Sequence, residues 1–390
     1  MEKANEAVKD IKNNPPSSLK SVKDCAKNLL MKEAAIHILV NNAGVAAISY
    51  EKTEDGIETT FQTNHLGHFL LTLLLLPKMQ ASSPGCRIVN VSSFTHICAR
   101  IILACRNMEK ANEAVKDIKN NPPSRIKKDE YQNGAGELAI YFLNLCSLKS
   151  VKDCAKNLLM KEAAIHILVN NAGVVAISYE KTEDGIETTF QTNHLGHFLL
   201  TLLLLPKMQS SSPGCRIVNI SSIGHIFGDI DFDDINLEKS YRPLKSYFQS
   251  KLANILFTRE LARRLNKANV HGINVYSLHP GNMPTEITQH ASSTIFPGAS
   301  YSYSFLSWVL PWAFKTVEEG AQTTIYCSVD EKTANETGLY YSDCNVAIPR
   351  RKAANDEYAK NFWDVSCKLL NLEPEEDFTK FLQTVSRQIL

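Results

Sequence analysis

Tyr247-Phe248-Gln249-Ser250-Lys251 sets a phenol and an ammonium four residues apart, on one face if the segment is helical. A phenol with a pKa of about 10 is a poor acid or base at neutral pH. An ammonium about 4 Å away, at an effective dielectric of about 20, favours the phenolate by about 4 kcal/mol. That is about three pKa units downward before screening and desolvation, enough to make the hydroxyl a usable general acid or base. Alone the spacing is weak. Tyr241 and Lys245 share it, although Pro243 between them disfavours a continuous helix. The combination is stronger: Asn171-Ala172-Gly173, Asn193-His194-Leu195-Gly196, Ser221-Ser222, Tyr247/Lys251 and Pro280-Gly281 follow one another in that order.

Elements must hold these groups. Short apolar runs at 99–105 (ARIILAC), 137–143 (ELAIYFL), 165–170 (IHILVN), 215–220 (CRIVNI), 272–278 and 338–341 read as strands. Helical spacing covers 108–120, 151–161, 187–208 and 246–266. This alternation predicts a parallel sheet covered on both faces. Ligands of such sheets lie beyond the carboxyl ends of the strands. Asn170, Ser222 and Pro280 each sit at or just after a strand end, so they would share one rim.

The chain has 390 residues, and a formal net charge of +1 gives no reason to expect nucleic acid as a partner. Ten scattered cysteines without a CxxC, and a charged, helical-looking opening MEKANEAVKDIKNN, suggest reduced thiols in an intracellular protein. HxxH at His65/His68 and His194/His197 lacks a third metal ligand, so packed helix histidines are expected and no metal. The chain repeats itself. Residues 1–17 recur as 108–124, and 18–93 recur as 147–222 with three differences, Ala46/Val175, Ala81/Ser210 and Val91/Ile220. Such near-identity points to a recent duplication or two neighbouring gene copies joined. The expected organisation is a partial duplicate over 1–98 and a main domain over 99–390.

With these strings in view the chain resembles the short-chain dehydrogenase/reductase family, in its retinol dehydrogenase-like branch. LACRN (103–107), LVNNAGV (168–174), TNHLGHFLLT (192–201), RIVNISS (216–222), YFQSKLANILFTRELARRL (247–265), SLHPGNMPTEI (277–287) and WDVSCKLL (363–370) carry the likeness. The resemblance implies a Rossmann-like, doubly wound α/β fold and an oxidoreductase acting on a small hydrophobic alcohol or carbonyl. It implies that Tyr247 exchanges the substrate proton and that Lys251 lowers its pKa and holds the nicotinamide ribose. Ser222 would bind the substrate oxygen, and Asn193 would hold a water linking Lys251 to solvent. Asn170, Asn171, Ala172, Gly173, Pro280, Gly281 and Thr285 would border the cofactor. Arg106, after the 99–105 strand, favours NADP(H) over NAD(H). Asn144 stands where the family usually has an aspartate near adenine.

One family feature is missing. No TGxxxGxG turn precedes 99–105, and the only GxG, Gly134-Ala135-Gly136, follows no strand. That turn brings backbone N–H groups and a helix N-terminus to a pyrophosphate. The sheet is therefore expected to be incomplete at its first strand, with 36–41 of the first copy as the better candidate to fill the gap. The competing readings are a catalytically inactive relative serving as a binding or dimerising module, or a mis-joined product. The aromatic stretch 301–314 suits capping an apolar substrate, touching a membrane, or a core helix pair. The expected location is cytoplasmic or peripheral on an internal membrane.

Overall fold

The structure is a computed structural model that describes residues 18–33, 35–36, 38–41, 52–55, 67–81, 87–90, 100–121, 137–175, 177–281, 315–373, 375 and 377–389. Thr285 and the 301–314 stretch lie outside the described residues. The chain divides into one unit of Met1–Arg100 with Asn133–Glu137, and another of Ile101–Gln132 with Leu138–Leu390.

In the first unit, α1 (Leu19–Lys32) starts at Ser18, whose Oγ accepts from the Ser21 amide. It packs on α2 (Gly67–Ala81), and Val22, Ala26, Leu75 and Met79 are buried. β1 (Ile38–Asn41) pairs in parallel with β2 (Arg87–Asn90) in a two-stranded sheet. The expectation that 36–41 fills the gap in the main sheet is therefore corrected. Its partner is the copy of the strand that its own duplicate uses, and the Ile38–Arg87 register repeats Ile167–Arg216 below. Identical sequence makes identical local pairing.

The second unit runs β3 (Ile101–Cys105), α3 (Met108–Asn120), β4 (Leu138–Phe142), α4 (Leu148–Lys161), β5 (Ile167–Asn170), α5 (Gly196–Ser211), β6 (Cys215–Ile220), α6 (Pro243–Lys267), β7 (Ile273–His279), α7 (Val317–Val329), β8 (Leu339–Ser342), β9 (Asn345–Val346), α8 (Asp356–Leu369) and α9 (Phe378–Ile389). β5, β6, β7 and β8 are parallel neighbours, and β9 adds an antiparallel edge. Alternate residues of β6 feed different clusters. Ile217 joins the core with α5, while Val218 and Ile220 join Tyr276, Leu278 and Cys327 of α7. The sheet is thus covered on both faces, as the near-continuous apolar strands require. β3 pairs with β4 in a separate parallel pair. Among the described residues no strand joins β3 to β5.

The 187–208 helix is composite. Glu187 caps a single turn, Thr188–Phe190, through the Thr189 and Phe190 amides at 2.9 and 2.8 Å. A π-helical turn, Gln191–Leu195, leads into α5. α5 is apolar all round and buried along almost its whole length, the pattern of a helix with neighbours on every side. Its duplicate is less covered: Leu202 is 0% exposed, its counterpart Leu73 50%. α6 begins at Pro243, not at 246, because a proline ring suits the first helical position.

Candidate active site

Three loops leave the carboxyl ends of neighbouring strands. They are Asn171–Gly173 after β5, Ser221-Ser222 after β6 and Pro280-Gly281 after β7. α6 packs on β6 and β7 and directs Tyr247, Ser250, Lys251 and Asn254 to one side at helical spacing. The Lys251 ammonium lies 5.6 Å from the Tyr247 ring centroid and donates to the Ile220 carbonyl at 3.2 Å. Ser221 Oγ donates to the Lys251 carbonyl at 2.7 Å, which ties α6 to the end of β6.

Ser222 reaches Tyr247 because two glycines let its turn approach α6. A Cβ on Gly224 would stand 2.8 Å from Phe248 Cδ1 and 3.3 Å from Tyr247 Cε1. A Cβ on Gly228 would meet the Phe248 carbonyl at 2.5 Å and Leu252 Cβ at 2.9 Å. Neither a backbone carbonyl nor a Cβ fixed directly to the backbone can step aside cheaply, so Gly228→Ala should cost about 1–3 kcal/mol of stability. Urea unfolding measures it, and an unchanged midpoint would show that the turn does not press on α6.

Asn193, in the π-helical turn, has its side-chain amide fully engaged. Nδ2 donates to the Val174 carbonyl at 2.8 Å and to Ser250 Oγ at 3.0 Å, and Oδ1 accepts from the Val174 amide at 2.7 Å. Its carbonyl accepts from Asn254 Nδ2 at 3.1 Å and contacts His197 Nδ1 at 3.2 Å. The side chain therefore clamps the loop after β5 against α6. Gly173 closes the same corner. A Cβ there would lie 3.2 Å from Asn193 Oδ1 and 3.4 Å from Lys251 Nζ.

The electrostatics differ from the expectation drawn from spacing. Tyr247 is shifted upward, because burial of the phenol outweighs the hydrogen bonding of the Ser222 hydroxyl, which acts downward. Lys251 is itself buried, and burial alone brings its pKa down to about 8. Residue spacing carries only the pull of a nearby ammonium. The removal of both groups from water opposes it and sets the sign.

Other expected residues fall apart from this cluster. Asn170 is 2% exposed and turned into the core, with Nδ2 on Thr201 Oγ1 at 2.9 Å and Asn219 Oδ1 at 2.8 Å. It ties β5 to α5 and β6, and its Oδ1 has no partner. Arg106 is exposed at the end of β3. Asn144 follows β4 and turns its Oδ1 onto the Cys146 amide at 3.2 Å. His194 is a core residue between Asn254 at 3.3 Å and Ser366 at 3.2 Å. Burial lowers its pKa to about 3 and that of His197 to about 4. Sequence reasoning passed over Ser250 and Asn254, although polar residues three and seven positions after Tyr247 on one helix were a readable signal.

A serine, a tyrosine and a lysine are thus gathered at the carboxyl rim of an α/β sheet. The family description "short chain dehydrogenase" matches the chain twice, over residues 16–105 and 99–295. The chain is 40% identical to retinol dehydrogenase 11 of Homo sapiens over 274 residues, 70% of this chain and 79% of that protein. It is 41% identical to retinol dehydrogenase 14 of Homo sapiens over 276 residues, 70% of this chain and 80% of that protein. A crystal structure of an uncharacterized protein from Mycobacterium Paratuberculosis aligns with a TM-score of 0.52 at 29% identity, covering 70% of this chain and 85% of that one. The chain belongs to the short-chain dehydrogenase family and is an oxidoreductase.

Proposed function

We propose that the chain is an NADP(H)-dependent oxidoreductase that interconverts a hydrophobic alcohol and its carbonyl compound, with Tyr247 as the acid–base. The observation that carries this reading is the meeting of Tyr247, Ser222 and Lys251 at the end of β6. The names of the relatives support the substrate class. So does the apolar turn after Ser222, where Ile223, Ile226 and Phe227 are 44%, 40% and 70% exposed.

The nicotinamide–ribose end of a dinucleotide fits the residues present. Lys251 has donors beyond the one on Ile220, and Gly173 leaves room where any side chain would crowd Asn193 and Lys251. When bound, the cofactor supplies or accepts the hydride. The chain's own groups do the rest. The Tyr247 hydroxyl passes its proton to, or takes it from, the substrate oxygen. The Ser222 hydroxyl holds that oxygen in place, and the Lys251 ammonium favours the phenolate as it forms. Asn193 and Ser250 keep the β5 loop against α6.

Arg106 supports NADP(H): a guanidinium after the strand suits a 2′-phosphate, where an acidic residue would suit a ribose hydroxyl. The missing glycine turn, and the absence among the described residues of a strand joining β3 to β5, are what a second reading, a binding module without catalysis, rests on. Fluorescence titration with NADPH and NADH separates the two. We expect saturable NADPH binding, tighter than NADH, and a smaller difference in Arg106→Glu. No saturation up to about 1 mM, a binding energy of about 4 kcal/mol, would leave the module.

A further inference from the structure

His225 lies three residues after Ser222, in the short helix Ile223–Phe227, and is 2% exposed. Its Nδ1 is 2.7 Å from the Ser222 carbonyl and its Nε2 is 3.4 Å from the Arg350 amide nitrogen. A carbonyl can only accept and an amide N–H can only donate, so the partners choose the ring's state: Nδ1 carries the hydrogen and Nε2 is bare. The ring edge rests on Tyr340 of β8, centroids 5.0 Å apart. Arg350 adds its guanidinium, donating to the Ile226 carbonyl at 2.5 Å and to the Gly228 carbonyl at 3.1 Å. The Ile223 amide donates to His279 Nδ1 at 3.3 Å. The turn that carries Ser222 is thus gripped by β7, by β8 and by a segment 125 residues further along the chain.

We propose that His225 and Arg350 brace Ser222 in its working position, which makes His225 a positioning residue that acts on substrate only through the Ser222 backbone. The inference rests on the function proposed above. A second ring proton would break the brace. It would put Nε2–H against the Arg350 N–H, close to the Arg350 guanidinium and to His279, which itself faces the Lys315–Asp343 ion pair. Burial and the Arg350 charge both hold His225 in its neutral form, while its bond to Ser222 acts the other way.

Two measurements decide the matter. Nitrogen-15 NMR of the histidine-labelled full chain, without cofactor, with His225→Phe as the assignment control, reads the tautomer directly. We expect the neutral Nδ1–H form, persisting below the ordinary histidine value of about 6.5. The Nε2–H form, or titration at that ordinary value, overturns the brace. Steady-state kinetics then reads its purpose. His225→Phe keeps the ring against Tyr340 but loses both bonds, and kcat should fall about 10- to 100-fold with dinucleotide KM within about twofold. His225→Asn keeps an N–H near the Nδ1 position and should recover most of kcat. Losses that merely follow Tm in both variants, with no recovery by Asn, overturn the positioning role. A wild-type chain with the Nδ1–H tautomer but no turnover defeats the proposed function and leaves the brace. An active chain indifferent to His225→Phe does the reverse.

Discussion

Tyr247→Phe is expected to lower turnover by about 10²- to 10⁴-fold, the range that positioned acid–base groups contribute, while dinucleotide affinity stays within about twofold. The substitution removes one hydroxyl and keeps the ring, so the neighbours of Tyr247 on α6 and at Gly224 remain in contact. Burial holds the phenol in its neutral form, so no ionised group is lost, and the cost to folding is confined to the hydrogen bond with Ser222, about 0.5–1.5 kcal/mol. Stopped-flow turnover with a long-chain alcohol, beside NADPH fluorescence, reads both halves. Undiminished turnover would falsify Tyr247 as the acid–base.

Lys251→Met should move stability and activity in opposite directions. In the unfolded chain this lysine titrates at 10.5, and in the folded chain burial brings it to about 8. Between those values the unfolded state holds more protons, so folded-state stability rises as pH climbs from about 8 to about 10.5. At neutral pH the folded chain bears the whole penalty, on the order of 3 kcal/mol. Methionine keeps most of the stem and removes the charge. The Ile220 carbonyl keeps its second donor, Asn254 Nδ2 at 3.0 Å. Tm at pH 7 should therefore rise by several degrees, at about 2–4 °C per kcal/mol for a domain of this class, while kcat collapses. The gap between variant and wild type should narrow as pH passes 8. A gap that ignores pH, or a less stable variant, would show that Lys251 is not held charged against burial.

Much of this was legible from residue order. 215–220 and 108–120 are β6 and α3 to the residue, since each is bounded by its own turn signals. The rim was legible because Asn171–Gly173, Ser221-Ser222 and Pro280-Gly281 all close apolar runs. α4 starts at Leu148, three residues before the helical spacing shows, because Ser147 as its cap looks like any loop serine. Helices α7, α8 and α9 went unread. The 187–208 run looks like one helix because its apolar content hides the π-helical turn at Asn193, whose side chain bonds to Val174 and Ser250, well away along the chain. The direction of the Tyr247 shift could not be read at all, for spacing reports a neighbour's charge and says nothing about the water both groups lose. His225 and Arg350 are invisible for the same reason as any pair 125 residues apart.

The repeated sequence also makes the polypeptide its own calibrated experiment. Leu73 and Leu202 have the same flanking residues on both sides and sit in the same kind of helix, yet one is half open to water and the other is sealed. Truncating each to alanine would hold helix propensity and local sequence constant and vary only the surroundings, so the difference between the two costs isolates what enclosure contributes.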